Sequence, residues 1–270
     1  MSFRVVAILG CRGMGLDIAR RLGIGRRLLL ADFSQAILDT TAATLKDDGY
    51  IVDIALVDVS DYASVERFAQ TAAEAGNIEA VVHTAGLSPT TGNSRRIYEV
   101  NLVGTANVID AFLPVASSGT SLVCISSMAA HMIPGISAEL EHHLATASRD
   151  NLLNHADLDI DNADPSGPAR AYGMTKRGNV LRVQAAANAW GRRGARVNSI
   201  SPGVISTSTG RQEIADAAGK YVAMSAAGRV GVPQDIVNGV AFLVSQDASF
   251  ITGNDLLIDG GVVSSLRWKN

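Results

Sequence analysis

Short apolar runs at residues 3–9, 27–31, 51–57, 78–82, 120–126, 195–200 and 254–258 alternate with stretches whose apolar residues recur at helical period. A brief aliphatic and β-branched run reads as a strand buried on both faces, and helical stretches between successive strands make those strands parallel. The alternation therefore predicts repeated βα units, an α/β fold with a doubly wound parallel sheet of about seven strands and helices on both faces. Right-handed crossovers then put a ligand in the crevice at the carboxyl ends of the strands, where the strand order reverses. At 270 residues, 47% hydrophobic but only 5% aromatic, the chain has the size of one α/β domain with an aliphatic core, and residues 1–270 are expected to form one.

The first run leads into Gly10-Cys11-Arg12-Gly13-Met14-Gly15 and then Leu16-Asp17-Ile18-Ala19-Arg20-Arg21-Leu22, which reads as strand, glycine turn, helix. Glycines accept positive φ and let the backbone approach a pyrophosphate, which sits on the N–H groups and positive dipole end of the helix. The spacing is G-x-x-G-x-G, and a glycine triplet by itself also suits any tight βα turn. The second apolar run ends in Asp32. A dinucleotide fold places there the carboxylate that receives the adenosine ribose hydroxyls.

Further along, Tyr172 and Lys176 stand four apart in Tyr-Gly-Met-Thr-Lys, so on a helix the phenol and the ammonium share a face. An unperturbed tyrosine titrates near pH ~10 and a lysine near ~10.4, and an adjacent positive charge favours the phenolate, as a general base requires. Upstream lie Ser127 in Ile-Ser-Ser and Asn101 in Glu-Val-Asn-Leu-Val-Gly-Thr. The Tyr-x-x-x-Lys spacing alone also fits a helix with an anchored tyrosine and a solvated lysine; the other segments give it meaning.

Taken in this order, the segments resemble the short-chain dehydrogenase/reductase family, from Phe3 to about Gly261. Other matching segments are Asp58-Val59, His83-Thr84-Ala85-Gly86 where the family has Asn-Asn-Ala-Gly, Asn198 through Pro202-Gly203 to Thr207, and Asp259-Gly260-Gly261. The resemblance implies a Rossmann-type fold and hydride exchange between a nicotinamide cofactor and a secondary alcohol or ketone. It implies Tyr172 as proton carrier and Lys176 as the group that tunes it and holds the nicotinamide ribose. Ser127, rather than Ser126, would bond the substrate oxygen, and Asn101 would bind a water linking Lys176 to solvent. For the cofactor it implies Gly10, Arg12, Gly13, Met14, Gly15, Asp32, Asp58, Val59, Ala85 and Gly86. At the nicotinamide carboxamide it implies Pro202, Gly203, Ile205 and Thr207, followed by a substrate loop at about 208–228.

Asp32 facing a 2′-phosphate would be repelled by roughly 4 kcal/mol at about 4 Å and an effective dielectric near 20, which favours NAD. Arg12 keeps NADP open, because its guanidinium can neutralise Asp32 or grip a phosphate. The glycine turn departs from the family, which has three residues between its first two glycines where this chain has two. Either the turn is one residue shorter, or Leu9 replaces the first glycine and Gly10 fills in beside it. Leu9 or Ile8 also stands where a threonine often ties the turn to the Ala-Gly segment.

Ser127 and Tyr172 are 45 residues apart (172 − 127), far more than in short members of the family. The insert, about 132–168, has helical spacing in its first half (Leu140, Leu144, Ala147, Leu152) and is turn-rich in its second. One or two short helices are expected, forming a wall or lid over the substrate; the alternative is a solvated decoration that changes subunit packing. Together with Ala85 to Thr90, Asp110 to Pro114 and Ala189-Trp190-Gly191, the insert resembles the bacterial 3α-hydroxysteroid dehydrogenase/carbonyl reductase group. That implies a bulky apolar ketone or secondary alcohol as substrate. The alternatives are a 3-oxoacyl thioester reductase and a dinucleotide sensor without turnover. The family also implies a homodimer or homotetramer joined through the helices carrying Asn101 and Tyr172.

A net charge of −3 without a lysine-arginine block argues against nucleic acid or an anionic membrane as partner. Nothing resembles a signal peptide or a membrane-spanning run, so a cytoplasmic location is expected. Cys11 and Cys124 fall in different elements and suggest no disulfide. His131, His142, His143 and His155, with Glu139 and Glu141, read as a solvated helix face and not as a metal site, because adjacent His142 and His143 point to different sides of a helix.

Overall fold

Each of the seven apolar runs forms a strand in the structure, a computed structural model that describes residues 3–90, 92–161, 164–207 and 219–268. They are β1 (Arg4–Leu9), β2 (Arg27–Asp32), β3 (Ile51–Leu56), β4 (Asn77–His83), β5 (Ser121–Ile125), β6 (Arg196–Pro202) and β7 (Asp255–Ile258). All pairings are parallel, in the order β3-β2-β1-β4-β5-β6-β7. The order reverses at β1 and β4, which creates the crevice that the alternation predicts.

Strand alternation sorts the core into two layers. Val5, Ala7 and Leu9 of β1 join Leu29, Phe68, Phe112 and Val183 on one face of the sheet. Val6 and Ile8 join Ile18, Leu38, Val240 and Leu243 on the other. The first face is covered by α3 (Tyr62–Ala75), α5 (Gly104–Phe112) and α7 (Gly167–Gly191). The second is covered by α1 (Met14–Leu22), α2 (Gln35–Asp47) and α9 (Pro233–Val244). The remaining helices are α4 (Ser94–Ile97), α6 (Ala138–Thr146), α8 (Gly219–Met224) and α10 (Val262–Arg267). No helix among the described residues is long and apolar enough to cross a membrane.

The insert contains α6 and a 3-10 turn at Arg149–Asn151. Its Leu140, Leu144, Leu152 and Leu158 form a third apolar cluster with Ile97, Tyr98, Leu102, Ala171 and Leu181. Ala171, Gly178 and Leu181 share a face of α7 on which Tyr172, Lys176 and Val183 do not lie. The insert's helical body therefore packs on the outer side of this helix, with Tyr172 and Met174 at the edge of the same cluster. Polar ties hold it there: Arg182 donates to the carbonyls of Leu144 (3.3 Å) and Ala147 (3.0 Å), and Arg177 pairs with Glu141. Ile133, at the insert's start, lies against Gly173, the residue after Tyr172. His142 is exposed, but His143 bonds the Leu152 carbonyl at 3.0 Å and packs on the His155 ring, so that part of the expected solvated face is structural. Residues 162–163 of the insert and 208–218 of the expected substrate loop lie outside the described residues.

Candidate active site

The glycine turn follows directly from the end of β1. Leu9 is the last strand residue, and its carbonyl accepts the N–H groups of Thr84 (2.8 Å) and Ala85 (2.9 Å). Gly10 has φ 96°, and a Cβ there would meet the Ala85 nitrogen at 2.5 Å. A Cβ on Gly15 would lie 2.0 Å from the Gly10 oxygen. Both positions therefore require glycine. The tie expected from a threonine near Leu9 is made from the opposite side, by Thr84 Oγ1 donating to the Gly10 oxygen at 2.7 Å. Gly13, with φ 55°, precedes α1 without a side-chain cap, so the opening N–H groups around Met14 and Gly15 receive no side chain of this helix.

Asp32, at the end of β2, accepts hydrogen bonds from the N–H groups of Cys11 (2.9 Å) and Ser34 (3.1 Å). These hold its carboxylate beside the glycine turn. Cys11 is buried, donates Sγ to the Ala31 carbonyl at 3.2 Å, and has its thiol pushed up to about 12 by burial and by Asp32. It is a packing residue. Arg12 is exposed and pairs with no carboxylate among the described residues. Asp58 is engaged more heavily than its sequence context suggests: Ser60 gives it two hydrogen bonds and Arg96 an ion pair at 3.4 Å. Burial raises its carboxyl, but these partners outweigh burial and hold it below the usual range. Val59 packs on Gly104, and its carbonyl accepts from Asn107 at 2.8 Å.

Between α4 and α5 the helix widens into a π turn at Tyr98–Val103, with Asn101 inside it. The Asn101 side chain accepts from Leu87 N–H (2.7 Å) and donates to Leu87 O (2.9 Å). The water expected on this side chain therefore has to share it with the 85–87 loop. A Cβ on Gly86 would lie 3.1 Å from Asn101 Oδ1 and 3.6 Å from Lys176 Nζ, so the loop passes closely over both. Lys176 is buried and donates to the Ile125 carbonyl at 3.0 Å, at the end of β5. Burial lowers its ammonium to about 8. Its Nζ lies 5.6 Å from the Tyr172 ring centroid.

Of the adjacent serines, Ser126 is buried and bonds the Lys176 carbonyl at 2.8 Å, whereas half-buried Ser127 caps the short 3-10 turn Met128–His131 and accepts from Ala129 N–H at 3.2 Å. The two hydroxyls thus have different surroundings, and that of Ser127 is the more accessible.

His83, in the segment where the family has asparagine, is buried, and its Nε2 lies 3.1 Å from Thr105 Oγ1. Because Thr105 donates to the Asn101 carbonyl at 2.8 Å, the imidazole donates from Nε2 and its Nδ1 has no partner. Burial, and secondarily the charge of Lys176, push the ring down to about 3 from an ordinary 6.5. A depressed folded-state pKa contributes stability that is present above pH 6.5 and lost as pH falls toward 3. His83 is expected to remove about 2 kcal/mol between pH 7 and pH 5. Denaturant unfolding of His83→Asn at both pH values should show that difference shrink by about this amount.

Pro202 ends β6, and Gly203 packs so closely that a Cβ would meet Asp259 Cα at 2.6 Å. Ile205 bridges to Gly231, and a Cβ on Gly13 would lie 3.7 Å from Thr207 Cβ, so this segment returns over the glycine turn. A cavity of about 230 Å³ is lined by Gly203, Ile205, Tyr221, Arg229 and Asp259 among others. Neither Ser127, Tyr172 nor Lys176 borders it, so it lies apart from these groups.

Comparison with known proteins agrees with this geometry. The family profile described as short chain dehydrogenase matches residues 4–138, and one described as enoyl-(acyl carrier protein) reductase matches residues 161–263. The short-chain dehydrogenase/reductase bsc3 of Alternaria brassicicola is 36% identical over 98% of this chain and 98% of its own. This chain is a short-chain dehydrogenase/reductase. The 3-alpha-hydroxysteroid dehydrogenase/carbonyl reductase of Comamonas testosteroni is 28% identical over 97% of this chain and 98% of its own. A short-chain type dehydrogenase/reductase from Mycobacterium ulcerans shares the fold, with a TM-score of 0.77 at 24% identity over 98% of this chain and 92% of that one. As a member of the family the protein is an NAD(P)-dependent oxidoreductase that exchanges hydride with an alcohol or ketone.

The residues present fit that cofactor: Gly10 and Gly15 let the turn pack tightly without a Cβ, α1 opens without a side-chain cap, and Asp32 stands at the end of β2. In this dehydrogenase/reductase, sequence reasoning missed Thr84, Arg96 and the π turn. Thr84 was visible as a substituted asparagine, but which oxygen it bonds was not. Arg96 meets Asp58 from 38 residues away, a pairing no local pattern signals.

Proposed function

We propose that this enzyme prefers NAD and acts on a bulky apolar ketone or secondary alcohol, with Tyr172, Lys176, Ser127 and Asn101 as its catalytic set. The observation that carries the reading is the convergence of Ser127, Tyr172 and Lys176 at the carboxyl end of β5, where Lys176 bonds Ile125 and lies 5.6 Å from the phenol ring. When bound, the nicotinamide supplies or accepts hydride at the carbonyl carbon. The protein's share is to orient the substrate and move a proton. Ser127 accepts from Ala129 N–H, which leaves its own O–H to donate to a substrate oxygen. Tyr172 gives or takes the proton at that oxygen, and the Lys176 ammonium favours negative charge on the phenol. Asn101 keeps the 85–87 loop in place and retains one N–H and one lone pair for a water leading to Lys176.

Support for an apolar substrate comes from Ile133 beside Tyr172 and from the hydroxysteroid and carbonyl chemistry named for the Comamonas relative. The enoyl reductase description of the profile over 161–263 favours a second reading, reduction of an acyl thioester. Following the absorbance of reduced nicotinamide against hydroxysteroids, other ketones and acyl thioesters tests both. Turnover of thioesters alone would overturn the first reading.

The NAD preference rests on Asp32, whose carboxylate is held by two backbone N–H groups and not neutralised by Arg12. Asp32→Ala is expected to raise the NADP-to-NAD ratio of kcat/KM by about tenfold or more, since a repulsion of up to roughly 4 kcal/mol is removed. An unchanged ratio would take Asp32 away from the ribose. Because α6 already occupies the outer face of the α5 and α7 pair, the proposed homodimer or homotetramer joins through another surface. Sedimentation velocity distinguishes the two assemblies.

A further inference from the structure

Asp255 begins β7, and its side chain is only 6% exposed. Three groups converge on its carboxylate. Ser199 Oγ (2.6 Å) and Ser201 Oγ (3.0 Å) donate to Oδ1, and His131 Nε2 lies 2.8 Å from Oδ2. A carboxylate only accepts, so His131 donates from Nε2. Val197, Ser199 and Ser201 alternate onto the sheet face that packs with Val183 of α7, the helix of Tyr172 and Lys176. Neither serine hydroxyl bonds the histidine, so the cluster does not have the arrangement of a hydrolytic triad.

The position of each partner gives the cluster its consequence. His131 closes the 3-10 turn that begins at Ser127. Ser201 immediately precedes Pro202–Gly203. A single 3-10 turn is a weak support: it is held by Ala129 N–H on Ser127 Oγ (3.2 Å), Ala130 N–H on Ser127 O (3.0 Å) and Met132 N–H on Ala129 O (3.2 Å). Its far end is anchored by His131 on a buried carboxylate that the serines hold in place. Removing one donor leaves part of that carboxylate's desolvation cost uncompensated, so the partners support one another.

We propose that His131 is a positioning residue, which through Asp255 fixes the Ser127 turn relative to the strand end that leads into Pro202–Gly203. The proposal rests on the role given to Ser127 above. It makes the distance between the substrate-bonding hydroxyl and the cofactor-binding edge depend on a contact 124 residues apart in the chain.

The test compares His131→Leu and His131→Gln in the full chain, reading amide hydrogen exchange, NADH dissociation constant, and kcat and KM on a ketone that the wild-type chain reduces in the nicotinamide absorbance assay. The side chain of His131 is 27% exposed, so either replacement is accommodated at the surface. In the leucine variant the Ala129, Ala130 and Met132 amides are expected to exchange about tenfold faster, with β1 and β2 unaltered. NADH affinity should hold while kcat falls by about tenfold to a hundredfold, because small misplacements of a reacting group carry costs of that order. Glutamine, which keeps an N–H donor, should restore both exchange and kcat, a rescue that general destabilisation would not give. Unaltered exchange at the three amides, or a glutamine variant behaving like leucine, would overturn the proposal. Faster exchange with unchanged kcat would also overturn it, and Ser127→Ala then locates the failure: lost turnover confines it to His131, retained turnover extends it to the reading of Ser127.

Discussion

Tyr172→Phe is expected to lower turnover by about 10² to 10⁴ while leaving NADH binding nearly unchanged, since this is the usual share of a positioned acid–base group. The substitution removes one oxygen and keeps the ring that packs against the third apolar cluster. Folding and the cofactor cradle should therefore survive, and the loss should appear in kcat. Steady-state kinetics with a titration of NADH by protein fluorescence separates the two effects. A variant retaining more than about a tenth of wild-type turnover would remove Tyr172 from the proton transfer.

Lys176→Met should have two effects of opposite sign. Turnover should fall by about 10² or more, because the phenol loses the charge that favours its ionised form. The fold without cofactor should become more stable. Burial lowers Lys176 from 10.5 to about 8, so the buried ammonium costs stability wherever it stays protonated. A depressed folded-state pKa means that the favourable contribution is fully present above pH 10.5 and lost as pH falls to about 8. At pH 7 the cost approaches about 3 kcal/mol, from which the lost hydrogen bond to Ile125 removes about 1 kcal/mol. The methionine variant is then expected to be about 1–2 kcal/mol more stable near neutrality, an advantage that shrinks between pH 8 and pH 10.5. Denaturant melts across that range measure it. A variant less stable at pH 7 would mean that the Ile125 bond outweighs the burial of the charge.

That the lysine proposed as catalytic costs stability reflects where its charge sits. Lys176 points from α7 toward the end of β5, beneath the close-packed Gly86 loop, and water is largely excluded there. The charge is then screened less and acts more strongly on the phenol. The same burial depresses His83, whose neutral ring supports the π turn through Thr105.

Much of this was readable along the chain because the governing interactions are local. Strand and helix periods repeat within a few residues, so the seven apolar runs predicted seven strands to within two residues at their ends. That Tyr172 and Lys176 share a face follows from the helical repeat, whereas the choice of Ser127 over Ser126 is what the family resemblance implies. Gly10 and Gly15 were legible as glycines, but the contacts with Ala85 and Gly10 that exclude a Cβ there are made by tertiary packing.

The sequence by itself determined the order of elements, the face of α7 that Tyr172 and Lys176 share, and the carboxylate at the end of β2. Only the tertiary structure decided that the insert packs on α7, that Asn101 bonds Leu87, that Arg96 reaches Asp58 and that His131 meets Asp255. The division has a physical cause. Periodicity records which face of an element is buried, whereas partners far apart in sequence are selected by packing of the whole sheet, and the same leucine stripe on α6 would suit more than one apolar surface.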